Sequence, residues 1–215
     1  KPKINITSNL VLRVNSLFQE FKKKIDNKKI YYIEGDYIWG RKKKLLGWRS
    51  QIKDYSLVLG AGIHVIDLIM WLTGLKPTSV YAIGNKKPTA GSKFKKNSLV
   101  IMLFEFPMNI LVKITANGAA IHSHLHELKI FSKDQTLVNS DLGSYMYKNK
   151  KILKINAAYP DKSNRKRLIQ AFLDNLMKRD KKKIITFKEQ IDLMSVCFSA
   201  EKSIRLSKKI KIKYL

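Results

Sequence analysis

The clearest helical pattern of apolar residues lies in the first third of the chain. Between Gly60 and Gly74 nearly every side chain is apolar, except for His64 and Asp67. These two are three positions apart, so on a helix they project from one face about one turn from each other. Gly74, followed by Pro77, predicts the end of the helix. A titratable pair in such a helix is typical of a site, although a buried histidine with a satisfied partner gives the same pattern.

Apolar patterns along the rest of the chain predict strands in its middle and helices towards both ends. Helices are predicted at residues 15–24, 164–179 and 188–207. Strands are predicted at residues 3–9, 30–39, 79–84, 98–106, 110–117, 125–131, 136–139 and 210–214, with shorter ones near 145 and 152. Residues 41–56 form a basic, irregular loop in this scheme. Strands joined as hairpins, with helices at both ends, indicate an α+β fold.

Composition indicates one globular domain. The chain has 215 residues, 45% of them apolar, which is enough for a core. No stretch has the pattern of a signal peptide or the length of a membrane span, so we expect no membrane partner. The single cysteine, Cys197, excludes an internal disulfide and suits the reducing cytoplasm, where we expect the protein to be located. Because Cys197 lies in an apolar helical run, we expect a buried thiol and not a nucleophile.

The net charge of +27 raises the question of a nucleic-acid partner. The basic residues are mostly lysines, which read base edges and phosphates less well than arginines do. They are spread over the whole chain, and the abundance of Ile and Asn is typical of an AT-rich genome. We therefore expect a solvated lysine surface and not a nucleic-acid interface.

Several segments carry a family resemblance. They are residues 9–13 (NLVLR), 35–41 (GDYIWGR), 47–50 (GWRS), 60–74, 124–131 (HLHELKIF) and 192–203 (DLMSVCFSAEKS). In this order they resemble the C-terminal, substrate-binding domain of the glucose–fructose oxidoreductase / inositol dehydrogenase (Gfo/Idh/MocA) family. The resemblance implies an open, mostly antiparallel sheet with helices packed on one face. The other face of this sheet often builds the oligomer in the family, so we expect a homo-oligomer.

Two features of the family's cofactor-binding domain are missing from the sequence. It has no G-x-G-x-x-G turn, since Gly60 and Gly62 imitate only the first half of that motif. It also has no Glu-Lys-Pro motif, and Lys1-Pro2 lies too close to Arg13 to replace it. We therefore expect residues 1–215 to be a single substrate-binding and oligomerisation domain. The resemblance implies NAD or NADP as cofactor, bound mainly by a Rossmann domain in cis or in trans.

His64 is the predicted catalytic residue, because histidine can take up the hydroxyl proton when an alcohol is oxidised. The resemblance places the matching histidine beside the reacting carbon, often with a lysine from the Glu-Lys-Pro motif. It also implies an aspartate one turn earlier, where this chain has Gly60. His64 therefore either acts with the lysine or only holds the substrate. Asp67 is predicted in the substrate site, where it orients the imidazole, or else has a structural role at the domain seam.

Arg13, Trp48, Arg49 and His124 complete the predicted substrate site. Arginine forks bind carboxylate or phosphate oxygens, and an indole face suits the apolar side of a sugar ring or a base. The resemblance places the two arginine-bearing segments near the cleft and His124 on a strand facing it. The open alternatives for the arginines and Trp48 are surface salt bridges and core packing. We expect His64, Arg13, Trp48 and Arg49 to line one concave surface, with Tyr37, Trp39, Arg41 and residues 42–44 as a basic, aromatic rim.

His122, His124 and His126 alternate, so on one strand they share a face and raise the possibility of zinc. Neighbours on the same face of a straight strand lie about 7 Å apart and converge poorly on one ion. We therefore expect no metal.

These observations predict the substrate-binding half of a nicotinamide-dependent oxidoreductase acting on a sugar, sugar acid or nucleotide sugar. The alternative is a non-catalytic, lysine-rich binding or oligomerisation protein that retains the fold.

Overall fold

The computed structural model of the protein describes residues 5–179 and 183–215. In these two ranges, nine strands form one sheet and five α-helices accompany it. The strands are β1 (Ile30–Ile38), β2 (Ser79–Asn85), β3 (Leu99–Phe106), β4 (Ile110–Asn117), β5 (Leu125–Ser132), β6 (Gln135–Ser140), β7 (Gly143–Lys148), β8 (Lys151–Lys154) and β9 (Ile210–Lys211). The helices are α1 (Ser16–Lys24), α2 (Lys42–Leu46), α3 (Ile63–Thr73), α4 (Asn164–Leu176) and α5 (Phe187–Leu206).

The sheet is open and mostly antiparallel, as expected. Its strand order is β8-β7-β6-β5-β1-β4-β3-β2-β9, and β1 and β4 are the parallel neighbours. Hairpins join β2 to β3, β3 to β4 and β5 to β8 in succession. Both neighbours of β1 are distant in sequence, so β1 joins the two hairpin groups into one sheet.

One face of the sheet is covered by helices. On β1 the residues Ile33 and Tyr37 point into the core, and Gly35 between them lets Val65 and Ile69 of α3 pack directly onto the strand. At the other end of the sheet α5 lies against β2, where the hydroxyl of Ser203 accepts a hydrogen bond from the amide of Ala82 at 2.8 Å. The fold is therefore α+β with helices on one face.

The opposite face of the sheet carries exposed apolar side chains. Tyr81 on β2, Leu103 on β3 and Leu111 on β4 are 38%, 51% and 53% exposed. They surround a depression of about 310 Å³ that Tyr32 of β1 also lines. A group of large apolar residues on one face is typical of a surface that another protein surface covers.

Three regions differ from the sequence-based prediction. The predicted strand at residues 3–9 is wrong for its described part, because residues 5–9 have no regular structure, and Lys1-Pro2 lies outside the described residues. The predicted irregular loop instead contains α2 and a 3-10 turn, Trp48–Gln51, since Leu45 is buried and anchors a short helix. The last strand is shorter than predicted and pairs with β2 only at Ile210–Lys211.

Helix α3 begins after an irregular turn. A π-helical turn, Val58–Gly62, leads directly into it, and Gly74 ends it in the left-handed conformation with φ of 66°. In the part of the chain that the structure describes, no helix has both the length and the hydropathy of a membrane span.

Candidate functional site

Five aromatic side chains meet where β1, β5 and the start of α3 come together: Tyr37, His64, His124, His126 and Tyr159. We call these five the histidine cluster. The Tyr37 ring lies at its centre, with centroid distances of 4.8 Å to His126, 5.2 Å to His124 and 5.9 Å to His64. The β1–β5 register produces this arrangement, because it puts Tyr37 directly opposite His126 on the helix-covered face. His64 reaches the same place from the first turn of α3.

Tyr159 holds His126 through two hydrogen bonds. The backbone amide of His126 donates to the Tyr159 hydroxyl at 2.7 Å, and this hydroxyl also lies 2.6 Å from Nδ1 of the His126 ring. The two contacts fix the position of the His126 ring beside Tyr37. Sequence reasoning missed Tyr159, because no pattern in a single sequence connects a loop residue before α4 with strand β5.

All three imidazoles of the cluster are held in the neutral form. Burial, with a smaller effect from His124, lowers the pKa of His64 from 6.5 to about 4. Burial also lowers the pKa of His126 well below its usual value and lowers the pKa of His124. Burial raises the pKa of Tyr37 to about 12, so this phenol keeps its proton. Near neutral pH the cluster offers neutral donors and acceptors and no charge.

Two predicted site residues lie beside the cluster. The Arg49 guanidinium stacks between two indoles, 4.3 Å from the Trp48 ring centroid and 4.9 Å from that of Trp39. The Trp39 ring in turn lies 6.2 Å from the Tyr37 ring. Arg49 and the half-exposed Trp48 are thus connected to the histidine cluster through Trp39. His64, His124, Trp48 and Arg49 belong to one region of the protein.

Arg13 and Asp67 are partners of each other, and among the described residues neither forms a hydrogen bond or an ion pair with the histidine cluster. Arg13 Nη2 and Nε donate to the Asp67 carboxylate at 2.7 and 3.1 Å, and the two side chains are only 4% and 1% exposed. The same guanidinium also donates to the Ile184 carbonyl and to Glu189 of α5. Burial lowers the pKa of Arg13, but the hydrogen bonds and charges of Asp67 and Glu189 outweigh it and raise that pKa. The structure does not bring this pair to the cluster, and Asp67 orients Arg13 instead of the His64 imidazole.

The position one turn before His64 is filled by another side chain. A Cβ atom on Gly60 would overlap the phenol ring of Tyr55. Burial raises the pKa of the Tyr55 phenol, and the nearby Arg49 guanidinium opposes this shift. The aspartate that the resemblance implies beside His64 is thus absent, and a tyrosine ring occupies the space.

The three alternating histidines do not share one strand. β5 begins at Leu125, so His122 and His124 precede it, and the exposed His122 contacts the carbonyl of Ser123. The prediction of three imidazoles on one face is therefore wrong for His122. Within the described ranges, no group of three or more histidine, cysteine or acidic side chains could hold a metal ion. Cys197 is buried, and burial raises its pKa, as expected for an inert thiol.

The glycine turn before α3 does not fit the phosphates of a dinucleotide. Gly60 is packed under Tyr55, and Gly62 lies against the Met102 side chain in the core. Backbone groups that are covered in this way cannot approach a pyrophosphate, which needs an open glycine loop at a helix N-terminus. This turn is therefore not a dinucleotide-binding turn.

Comparison with known proteins identifies the family. Residues 18–138 match the model of the GFO/IDH/MocA C-terminal domain. The chain belongs to the Gfo/Idh/MocA family. The histidine cluster of this Gfo/Idh/MocA domain is formed almost entirely by residues within the matched range, and Tyr159 lies beyond it. No curated protein matches the sequence.

Solved structures share the fold of this Gfo/Idh/MocA domain. They include myo-inositol 2-dehydrogenase from Lactobacillus plantarum (TM-score 0.78, 16% identity, 95% of this chain and 64% of that one). UDP-N-acetylglucosamine 3-dehydrogenase from Acidithiobacillus ferrooxidans is also similar, with a TM-score of 0.74 and 16% identity over 92% of this chain and 60% of that one. A third similar structure is scyllo-inositol dehydrogenase from Lactobacillus casei with bound NAD(H) and scyllo-inositol. Its TM-score is 0.73, with 16% identity over 94% of this chain and 63% of that one. The chain spans a little under two thirds of the length of these proteins.

Proposed function

We propose that this domain is the substrate-binding half of a nicotinamide-dependent oxidoreductase that acts on a hydroxyl group of a sugar, sugar acid or nucleotide sugar. The observation that carries the proposal is the histidine cluster, in which three neutral imidazoles surround Tyr37. The inositol and nucleotide-sugar dehydrogenases that share the fold support the substrate class. NAD or NADP is bound mainly by a Rossmann domain that is not among these 215 residues and that acts in cis or in trans.

His64 is the group that accepts the hydroxyl proton. Its low pKa keeps the imidazole neutral and ready to accept, since only the neutral ring has a free lone pair. The same burial makes His64 a weaker base than a histidine with a pKa near 7. Turnover is therefore expected to rise with pH through the titration of His64, with a midpoint well below 6.5.

His124 and His126 fix neighbouring hydroxyl groups of the substrate. We assign the proton of the hydrogen bond between Tyr159 and Nδ1 of His126 to the Tyr159 hydroxyl, which leaves the Nε2–H of this ring as the donor to the substrate. The Nδ1 atom of His124 is buried and has no partner among the described residues. A hydroxyl group both donates and accepts, so it suits such a donor and acceptor better than a carboxylate, which only accepts.

Arg49 and Trp48 form the rim of the proposed substrate site. An indole face suits the apolar face of a sugar ring, and the stacked guanidinium can bind a carboxylate or phosphate carried by the substrate. Arg13 and Asp67 are not part of the proposed contacts, because their polar atoms bind each other. We further propose a homo-oligomer formed through the apolar sheet face around Leu103 and Leu111, and a cytoplasmic location, which suits the single buried Cys197.

The test uses the complete two-domain enzyme, assembled with a cofactor domain in cis or in trans, and a panel of inositols, uronic acids and nucleotide sugars. His64→Ala is expected to lower kcat by a factor of about 100 or more with little change in KM, since general-base effects are of this size. Arg49→Ala is expected to raise KM for anionic substrates and leave kcat nearly unchanged. His122→Ala is the matched control, because His122 is exposed and lies outside the cluster.

The outcome also separates the two functions considered for this fold. Turnover of no substrate in the panel by the assembled enzyme would favour a non-catalytic binding protein. Equal losses from His64→Ala and His122→Ala would show that the cluster is not the reacting site.

A further inference from the structure

A basic depression lies between the C-terminal half of α5 and the loop that joins β2 to β3. It encloses about 830 Å³, which lies within the usual size range of small-molecule sites. None of its lining residues belongs to the histidine cluster or to the Arg49 stack. The depression is therefore a separate feature that the proposed oxidoreductase site does not use.

Five cationic side chains line the depression, and all are exposed: Lys86, Lys95, Lys96, Lys202 and Arg205. In residues 5–179 and 183–215 none of them forms an ion pair with a carboxylate. Lys202 and Arg205 are three residues apart on α5, so they share one face of the helix. Like charges concentrated in a concave surface repel each other and attract anions. The depression is thus suited to a ligand with several negative charges.

The remaining lining residues narrow the ligand class. Phe198 also lines the depression and is 56% exposed, so an aromatic ring is open to a ligand there. Glu201 also lines the depression, and among the described residues its carboxylate forms no ion pair. An unpaired carboxylate oxygen requires a donor and repels phosphate, so it indicates hydroxyl groups on the ligand. The site therefore combines groups for an anion, a flat ring and a pair of hydroxyls.

We propose that this depression binds a nucleoside diphosphate. The lysines and Arg205 hold the phosphates, Glu201 accepts from the ribose hydroxyls, and the base stacks on Phe198. A mononucleotide fits better than a nucleic-acid strand, because the site is concave and its carboxylate would repel a continuous phosphate backbone. The proposal does not depend on the oxidoreductase function.

Calorimetric titration of the full chain with ADP at physiological salt tests the proposal. ADP is expected to bind at least about tenfold more tightly than inorganic pyrophosphate or adenosine, because each of these retains only part of the contacts. Phe198→Ala is expected to weaken the binding of ADP by about fivefold and to leave the binding of pyrophosphate unchanged, since only the base stacks on the Phe198 ring. Glu201→Gln is expected to reduce the preference for ADP over its 2′,3′-dideoxy analogue.

A matched pair of double variants separates a built site from the general lysine surface. The double variant Lys95→Gln, Lys96→Gln is expected to bind ADP at least about tenfold more weakly. Lys151→Gln with Lys154→Gln makes the same charge change on exposed β8 and is expected to have little effect. Undetectable ADP binding, pyrophosphate binding as tight as ADP, or equal losses from the two double variants would overturn the proposal. Displacement of ADP by equimolar single-stranded DNA would indicate a nucleic-acid surface instead.

Discussion

The buried pair of Arg13 and Asp67 allows a sharp test of whether a predicted substrate residue is structural. Asp67→Asn keeps the shape of the side chain and removes its charge. In the folded protein the guanidinium of Arg13, only 4% exposed, would then lie against a neutral amide that turns one of its donors towards it. Glu189, which is 41% exposed, would remain as its nearest carboxylate.

The expected cost follows from the geometry. Removing one partner of a buried ion pair leaves an uncompensated charge and typically costs about 3–5 kcal/mol. The remaining contact with Glu189 puts the expected value near the lower limit, about 3 kcal/mol. For a chain of 215 residues each kcal/mol lowers Tm by about 2–4 °C, so a loss of roughly 6–12 °C is expected.

The assay is thermal and chemical unfolding of the chain, followed by circular dichroism, for four variants. Asp67→Asn and Arg13→Met each break the pair, and Glu189→Gln removes only the half-exposed partner and is expected to cost about 1 kcal/mol or less. Arg13→Met combined with Asp67→Asn removes both charges, so no buried charge is left unpaired. This double variant is expected to recover at least about half of the loss, a coupling that a double-mutant cycle measures.

The result that refutes this reasoning is a Tm for Asp67→Asn within about 2 °C of the wild-type value. Such a result would mean that Asp67 is not needed to neutralise Arg13. A large effect on substrate binding by the same stable variant would then restore the original prediction that Asp67 contacts the substrate.

Three further predictions concern the cluster and the sheet face. The pKa of His64 is about 4 in the folded protein and about 6.5 in the unfolded chain, so between pH 4 and pH 6.5 the unfolded chain binds more protons. The free energy of unfolding, measured with urea, should therefore fall as the pH drops through this range. His64→Phe should reduce this pH dependence, and a stability that does not change with pH would contradict the neutral state of His64. Tyr159→Phe should lower the free energy of unfolding by about 1–3 kcal/mol, since the amide and Nδ1 of His126 lose their partner. It should also change the nitrogen-15 chemical shifts of the His126 ring, and unchanged spectra would count against the proposed proton position. Light scattering should find an oligomer that Leu103→Glu with Leu111→Glu converts to a monomer, and a monomeric wild-type chain would disprove the proposed interface.

Periodicity predicted most of the fold, because the pattern of burial along each element is local. Leu17, Phe18 and Phe21 on α1 and the alternating residues of β3 and β4 are buried as their spacing indicates. The errors lie where burial is set by distant partners. Leu45 is the buried residue of α2, and this helix of five residues has no periodic pattern long enough to recognise.

Of the five residues in the histidine cluster, sequence reasoning proposed His64 and His124 as site residues and missed His126 and Tyr159. His64 and His124 carry recognisable chemistry, and the sequence contains both. A single sequence does not show which polar groups meet in the folded protein. Arg13 and Asp67 are 54 positions apart along the chain, and Tyr159 and His126 are 33 positions apart. Asp67 lies one turn from His64, yet the buried guanidinium of Arg13 binds it more strongly than a neutral imidazole could, because opposite charges attract most strongly away from water.

The ring of Tyr55 over Gly60 constrains the order in which this domain can change during evolution. An aspartate at position 60 would overlap the phenol while Tyr55 stays in its present place beside Phe94. A smaller residue at position 55 therefore has to arise before an acidic one at position 60, and the reverse order passes through a poorly packed intermediate. The change at position 60 is thus tolerated only after the change at position 55. Directed evolution towards an aspartate beside His64 would accordingly need libraries that vary residues 55 and 60 together.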